Sequence, residues 1–253
     1  MPAYFTTADG FDLAWYDLGT GTADPPIILQ HGYTATAISE WVDSGLASRL
    51  ATLGRRVVAL DALGHGASAR PHDSRFYGEA RMATDISGLA THLGIARFDL
   101  VGYSMGAIVA LLTAVADPRV RRLAIGGVGE AVVLLGGVDT RALDNRDLAA
   151  AMRTDDPTTL APFVRRFREN AIARGNDRLA LAAQADVVHR APIPLGSIAV
   201  PALVLAGTDD PLAVRPEILA SAIPGARLVR VPGDHGQARL EPAFIAALGE
   251  FLR

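Results

Sequence analysis

The pentapeptide Gly-Tyr-Ser-Met-Gly at 102–106 carries the clearest chemical signal in the chain. The stretch Phe-Asp-Leu-Val at 98–101 predicts a short buried strand ahead of it, and the apolar run at 107–116 predicts a buried helix behind it. A strand that turns directly into a helix strains the central serine and exposes its hydroxyl, while the two glycines let the elements pass. Gly-x-Ser-x-Gly also occurs as a flexible turn. The flanking strand and helix favour an exposed, nucleophilic Ser104.

A nucleophilic serine needs a partner, because its hydroxyl is inert near pH 7 unless an adjacent base accepts the proton. Histidine suits this task because its pKa lies close to neutrality. The chain has six histidines. A third group must then orient the histidine and stabilise its protonated form. The chemistry of Ser104 therefore predicts a histidine and an acid brought to it by the fold.

The rest of the chain alternates short β-branched runs with amphipathic segments. An Asp-Gly turn at 9–10 and the run at 13–17 predict an early hairpin. Buried strands are predicted at 27–30, 57–60, 98–101, 120–125, 202–205 and 227–231. Helices are predicted at 39–53, 80–93, 107–116, 215–222 and 242–252. This alternation predicts an α/β fold in which helices cover both faces of a mostly parallel sheet.

One segment, residues 136–197, offers no strand candidate. It predicts helices at 143–153, 160–174 and 177–188, with Thr158 or Asp177 as a possible N-cap. An ordinary crossover with extra helices would explain it, but about 60 residues is far more than a crossover needs. We therefore expect a core formed by 1–135 and 198–253, with 136–197 (the cap segment) as a helical lid.

Composition excludes several kinds of chemistry. The chain has no cysteine, so disulfides, thiolate catalysis and cysteine-ligated metals are excluded. It has no lysine either, which excludes a lysine Schiff base. The net charge of −3 comes without long charged blocks, so neither nucleic acid nor a membrane is expected as a partner. Residues 1–10 do not resemble a signal peptide, and the apolar stretch at 123–138 contains Glu130 and five glycines. We expect a soluble cytoplasmic protein, with nothing to indicate its oligomeric state.

Five short motifs occur in a specific order between residue 27 and about residue 235. They are His-Gly at 31–32 after a strand, Asp-Ala-Leu-Gly-His-Gly-Ala-Ser at 61–68, the pentapeptide at 102–106, Gly-Thr-Asp-Asp-Pro at 207–211 and Gly-Asp-His-Gly at 233–236. Each is weak alone, but the ordered set resembles the α/β-hydrolase superfamily, and in particular its bacterial members with a small helical cap. The resemblance implies a serine hydrolase without a cofactor.

The resemblance also assigns roles to individual residues. It makes Ser104 the nucleophile and His235, in a glycine-rich loop after the last strand, its base. The family pattern Gly-x-x-Asp selects Asp210 as the acid. The adjacent Asp209 remains an alternative, because a shift of one residue in the loop would exchange the two. Glu130 is a more distant alternative, since some relatives carry the acid after an earlier strand.

Two backbone amides should stabilise the oxyanion, and the resemblance assigns them to Tyr33 and Met105. The phenol of Tyr33 could face the substrate or pack beneath the cap segment. His31 and His65 resemble structural histidines of the family's loops. No cluster of His, Asp and Glu has metal-ligand spacing, so no metal is expected.

A serine at this position implies an acyl-enzyme route, with a small-molecule carboxylic ester as the expected substrate. Lactonases, C–C bond hydrolases, thioesterases and perhydrolases share the same three residues. Some triad-bearing relatives act instead as small-molecule receptors. Haloalkane dehalogenases and epoxide hydrolases are excluded because they carry aspartate in place of the serine. The sequence after His31-Gly32 also lacks the glycine-rich loop expected of C–C hydrolases.

Aromatic and basic residues of the cap segment bear on the substrate. Phe163 and Phe167 are its only aromatic residues, which favours a small, apolar to modestly polar substrate. Arg165, Arg166 and Arg168 could bind a carboxylate, although a solvated arginine face is the more common arrangement.

Overall fold

A computed structural model of the protein describes residues 1–21 and 23–253. Those residues form an eight-stranded sheet, whose strands are β1 (Ala3–Thr6), β2 (Asp12–Thr20), β3 (Ala23–Gln30), β4 (Arg55–Leu60), β5 (Phe98–Tyr103), β6 (Val120–Gly126), β7 (Ala202–Gly207) and β8 (Arg227–Val231). They lie in the order β1-β2-β4-β3-β5-β6-β7-β8 across the sheet. The pairs β1–β2 and β2–β4 are antiparallel, and every other pair is parallel. The predicted hairpin and mostly parallel sheet are confirmed.

The α-helices of the described residues lie between these strands. They are α1 (Leu46–Ala51), α2 (Glu79–His92), α3 (Met105–Ala116), α4 (Ala131–Leu135), α5 (Asn145–Arg153), α6 (Pro162–Ala173), α7 (Arg178–Ala185), α8 (Pro216–Ala222) and α9 (Pro242–Phe251). Within the described part of the chain, none of the helices is both long and apolar enough to cross a membrane.

Helices cover both faces of the sheet, as the apolar strands predict. Side chains alternate along a strand, so Ile28 of β3 packs with α2 and α3 while its neighbours Ile27 and Leu29 pack with α1 and α9. All three are fully buried. The central strands therefore have no solvent-facing side, which explains why their sequences read as continuous apolar runs.

The helix predicted over 39–53 is wrong as a single element. A short π-helical turn spans Ile38–Val42, and α1 begins only at Leu46. Between them Gly45 adopts a left-handed conformation with φ of 75°. That conformation interrupts the helix, and glycine adopts it without steric cost.

The segment between β6 and β7 contains α4 to α7. Three of these helices match the predicted ones with shorter bounds, whereas α4 was not predicted. Asp177 caps α7 by accepting hydrogen bonds from the amides of Leu179 (2.8 Å) and Ala180 (3.1 Å). Thr158 does not act as a cap, because Asp156 caps the 3₁₀ turn that contains it. Helix α5 packs against α6 and α7.

Candidate active site

Ser104 lies in the turn between β5 and α3, with φ of 56° and ψ of −120°. Glycine alone adopts such a conformation without strain, so the surrounding backbone must hold the serine in place. A Cβ atom on Gly102 would lie 2.1 Å from the carbonyl oxygen of Gly106, and one on Gly106 would lie 2.2 Å from that of Gln30. The crossing of strand and helix therefore requires both glycines, and it presents the serine at the carboxyl end of β5.

Loops at the carboxyl ends of two other parallel strands bring His235 and Asp210 to Ser104. The His235 Nε2 atom lies 3.0 Å from Ser104 Oγ, and its Nδ1 atom lies 2.8 Å from Asp210 Oδ2. Asp210 is buried, and its Oδ1 accepts a hydrogen bond from the Leu212 amide (2.8 Å). Tyr103 donates from its hydroxyl to the carbonyl of His235 (2.7 Å). Burial raises the pKa of Tyr103, so this hydroxyl remains a donor at neutral pH.

The two alternative acids lie elsewhere. Asp209 is exposed, and its carboxylate accepts a hydrogen bond from Thr208 Oγ1 (3.1 Å). Glu130 is paired with Arg141 (2.9 Å) and with Arg215. Neither of these carboxylates contacts His235. Of the three candidate acids, the structure therefore brings only Asp210 to His235 and Ser104.

The backbone of the loop after β3 lies against Ser104. A Cβ atom on Gly32 would lie 3.2 Å from Ser104 Cβ, closer than an ordinary contact between carbon atoms. Among the described residues, neither the Tyr33 amide nor the Met105 amide donates to a protein acceptor. Met105 is the first residue of α3, where an amide has no partner within the helix. Both amides are therefore available to a ligand beside Ser104.

His31 is hydrogen-bonded to the backbone of this loop and of the neighbouring one after β4. Its Nε2 accepts a hydrogen bond from the Ala62 amide (3.0 Å), and its Nδ1 donates to the Gly32 carbonyl (2.8 Å). Burial lowers the pKa of His31 and that of the neighbouring His65, so both favour the neutral form. These bonds hold the loop in place and do not reach Ser104.

Ser104 lines two cavities. The outer cavity has a volume of about 370 Å³, and its lining includes His235, Phe163, Arg166, Phe167, Arg174 and Arg239. The inner cavity has a volume of about 40 Å³, and its lining includes Met105, Leu143, Leu148, Gln184, Leu212 and Glu79. Tyr33 and Phe167 line both. The two cavities thus meet at Ser104.

The cap segment supplies part of both cavities. Phe163 and Phe167 stack edge to face with 5.4 Å between ring centroids, and both line the outer cavity. Of the three predicted arginines, Arg166 lines this cavity, whereas Arg168 is buried and donates to the carbonyl of Ala151. The phenol of Tyr33 was predicted either to face the substrate or to pack beneath the cap segment. In the structure Tyr33 lines both cavities, and its hydroxyl also donates to the cap segment.

Sequence reasoning missed several polar residues of the cavities, among them one glutamate, two arginines and one glutamine. Glu40, Arg174 and Arg239 line the outer cavity, and Glu40 pairs with Arg239. Gln184 lines the inner one. None of the four belongs to a recognisable motif, so only their positions in the folded chain reveal them. Among the described residues, no group of three His, Cys, Asp or Glu side chains could hold a metal ion.

Residues 25–189 match the family described as the alpha/beta hydrolase fold. The chain belongs to this family. It is 34% identical over 134 residues to a 2-hydroxy-6-oxo-2,4-heptadienoate hydrolase of Pseudomonas putida, a match that covers 52% of this chain and 47% of the relative. The chain thus spans about half the length of the curated relatives it matches.

Solved structures match this member of the alpha/beta hydrolase family over its whole length. The enol-lactonase of Burkholderia xenovorans LB400 superposes with a TM-score of 0.75 and 26% identity, covering 99% of both chains. An esterase of Exiguobacterium antarcticum gives a TM-score of 0.81 at 21% identity, covering 100% of this chain and 99% of that one. At that identity the esterase supports the fold alone. The predicted family and fold are confirmed.

Proposed function

We propose that the protein is a serine hydrolase that cleaves a small-molecule carboxylic ester through an acyl-enzyme. The observation that carries this proposal is the continuous chain from Ser104 Oγ through His235 to Asp210, with distances of 3.0 and 2.8 Å. A serine, a histidine and a buried carboxylate joined in this order form the arrangement that activates a hydroxyl for attack on a carbonyl.

The proposed reaction proceeds in two balanced halves. Ser104 Oγ attacks the ester carbonyl while His235 Nε2 accepts its proton, and the amides of Tyr33 and Met105 bind the oxyanion. The bond to the alcohol oxygen then breaks, and His235 returns the proton to that oxygen. In the second half, water attacks the acyl-enzyme with His235 again as base, which releases the acid and restores Ser104.

A lactone is the second candidate substrate. The likeness to an enol-lactonase over 99% of the chain supports it, and the same three residues would open a cyclic ester. The difference lies in the leaving alcohol, which stays tethered to the acyl group in a lactone. Direct assay of lactone opening separates the two candidates.

We further propose that residues 136–197 act as a cap over the site. Helix α6 of this segment contributes Phe163, Arg166 and Phe167 to the outer cavity, on the side from which a substrate would approach Ser104. A cap in this position would bind the substrate's distal part and exclude water from the reacting carbonyl.

Release of p-nitrophenol from acetate, butyrate and octanoate esters tests the function, with and without a serine-directed phosphonate. Wild-type protein is expected to turn over the short esters and to lose that activity on labelling. Ser104→Ala is expected to lower kcat at least about 10³-fold, because the nucleophile is absent. Ester hydrolysis retained in Ser104→Ala would contradict the proposal. Labelling at Ser104 without turnover of any ester would favour the lactone, a C–C bond substrate or a receptor role.

A further inference from the structure

The inner cavity is small. By volume, its 40 Å³ accommodate about three water-sized groups. Apolar side chains such as Leu143, Leu148 and Leu212 form much of its wall. It therefore fits a short chain of atoms that extends from a carbonyl held at Ser104.

One polar side chain of this cavity has no partner. Gln184 of α7 is completely buried, and among the described residues neither Oε1 nor Nε2 of its amide makes a hydrogen bond. A buried amide in a native protein is nearly always hydrogen-bonded, to protein or to water. Gln184 lines the inner cavity, so a molecule bound there can supply the partner that this amide needs.

The other polar residues of the inner cavity are already engaged. Asn145 donates from its amide to the carbonyl of Ala185 (2.9 Å). Glu79 accepts a hydrogen bond from the amide of His189 (2.7 Å), and Asp139 is paired with Arg141. Among these polar residues, Gln184 is thus the one whose Nε2 donor and Oε1 acceptor are both free to bind a ligand.

The position of His235 decides which part of an ester enters this cavity. The leaving alcohol must lie within reach of His235 Nε2 to receive its proton. His235 lines the outer cavity and is not part of the inner one, whereas Ser104 lines both. The alcohol therefore departs through the outer cavity, and the acyl group points into the inner cavity.

We propose that the inner cavity binds an acyl group of two to four carbons that carries a hydroxyl or oxo substituent, hydrogen-bonded by Gln184. This inference rests on the proposed ester hydrolysis and specifies its substrate. A hydroxyl both donates and accepts, so it can pair with either atom of the Gln184 amide. A carboxylate fits less well, because the carboxyl groups of Glu79 and Asp139 already lie in the same wall.

Two esters of the same alcohol and nearly the same shape test the proposal. These are the p-nitrophenyl esters of 3-hydroxybutyrate and 3-methylbutyrate, in which a methyl group replaces the hydroxyl. Wild-type protein is expected to prefer the hydroxy ester at least about tenfold in kcat/KM, because a site that hydrogen-bonds a hydroxyl rejects an analogue lacking it. Gln184→Met keeps the side-chain length without the amide, and it is expected to abolish or reverse the preference.

Leu148→Val is the matched control, since it alters the same wall without a polar change. It is expected to improve longer acyl chains and to keep the hydroxyl preference. An unchanged preference in Gln184→Met, or no preference in wild type, overturns the inference while leaving ester hydrolysis intact. The comparison of the two esters on wild-type protein tests the hydroxyl preference even if Gln184→Met fails to fold. No turnover of any ester together with no phosphonate labelling of Ser104 overturns the proposed function itself.

Discussion

Asp209 and Asp210 have the same side chain and adjacent positions, yet the fold gives them different surroundings. Asp210 is buried with both oxygens hydrogen-bonded, one of them by His235, whereas Asp209 is exposed beside Thr208. The turn that follows β7 at Gly207 sets this difference. A Cβ atom on Gly207 would lie 2.4 Å from the carbonyl oxygen of Gly233, so the two loops touch there.

This pair supports a prediction with a built-in control. We expect Asp210→Asn to lower kcat by about 10² to 10⁴-fold, because an amide neither stabilises the imidazolium nor holds the required tautomer of His235. Asp209→Asn is expected to change kcat less than about threefold. Steady-state rates on a turned-over ester, with unfolding midpoints to exclude misfolding, provide the comparison. A larger loss in Asp209→Asn would place the acid one residue earlier than proposed.

At the scale of single residues, sequence motifs identified the residues that the fold brings together at Ser104. They did not identify the residues that form the cavity walls. Ser104, His235 and Asp210 could be chosen because short patterns mark them. Gln184 could not, since a glutamine in the alanine-rich α7 reads the same whether it faces water or a cavity. Burial of one helix face is a tertiary property, and the polar residue on that face has no local signal.

At the scale of elements, two helical glycines differ in whether the surrounding structure leaves space for a side chain. Gly106 lies in the first turn of α3, where a Cβ atom would meet the carbonyl oxygens of Gln30 and His31 at 2.2 and 2.6 Å. Gly249 lies in α9, where a Cβ atom would meet nothing within 4 Å. Backbone atoms cannot move aside as a flexible side chain can, so only the first of these glycines is structurally required.

We therefore expect Gly106→Ala to prevent folding or to lower the free energy of unfolding by about 3 kcal/mol or more, since overpacking against backbone displaces β3 from α3. Gly249→Ala should raise the free energy of unfolding by about 0.5 to 1 kcal/mol, because alanine loses less conformational entropy in a helix. Urea unfolding of both purified variants measures the two effects. Equal stability of the two variants would show that the crossing at Ser104 is looser than described.

The prediction of elements was accurate for strands that are buried on both faces. It was less accurate where a single residue interrupts a helix. Strands β4 and β7, for example, contain the continuous apolar runs Val-Val-Ala-Leu and Ala-Leu-Val-Leu, which are typical of strands buried on both faces. The split of 39–53 depends on Gly45, whose left-handed backbone cannot be distinguished in the sequence from an ordinary helical glycine. Helix α4, only five residues long, gives too short a periodic pattern to be recognised.

At the scale of the whole molecule, the cap segment is hydrogen-bonded to the loops that follow β3 and β4. Tyr33 donates from its hydroxyl to the carbonyl of Leu181 in α7 (2.7 Å). Asn176 donates to the carbonyl of Thr34 (3.0 Å) and accepts from the amide of Gly66 (3.0 Å). The loop whose Tyr33 amide is proposed to bind the oxyanion is therefore also hydrogen-bonded to the cap segment, so movement of one is expected to affect the other.

Removal of the Tyr33 hydroxyl should loosen this attachment without changing the backbone amide. We expect Tyr33→Phe to speed amide hydrogen exchange in α7 by about fivefold, which corresponds to the loss of about 1 kcal/mol from one buried hydrogen bond. Exchange in the central strands should stay as in wild type, because local opening of the cap leaves the sheet intact. Hydrogen exchange followed by mass spectrometry resolves the two regions.

Tyr16→Phe is the control, because the Tyr16 hydroxyl bonds to Asp61 Oδ2 (3.1 Å) within the core and not to the cap segment. It should leave exchange in α7 unchanged. If Tyr33→Phe also leaves α7 unchanged, the cap is held by apolar packing around Phe167 and the bonds of Asn176 rather than by the phenol. If exchange rises in the sheet as well as in α7, the two parts unfold together, and 136–197 is an integral layer of the fold rather than a separable cap.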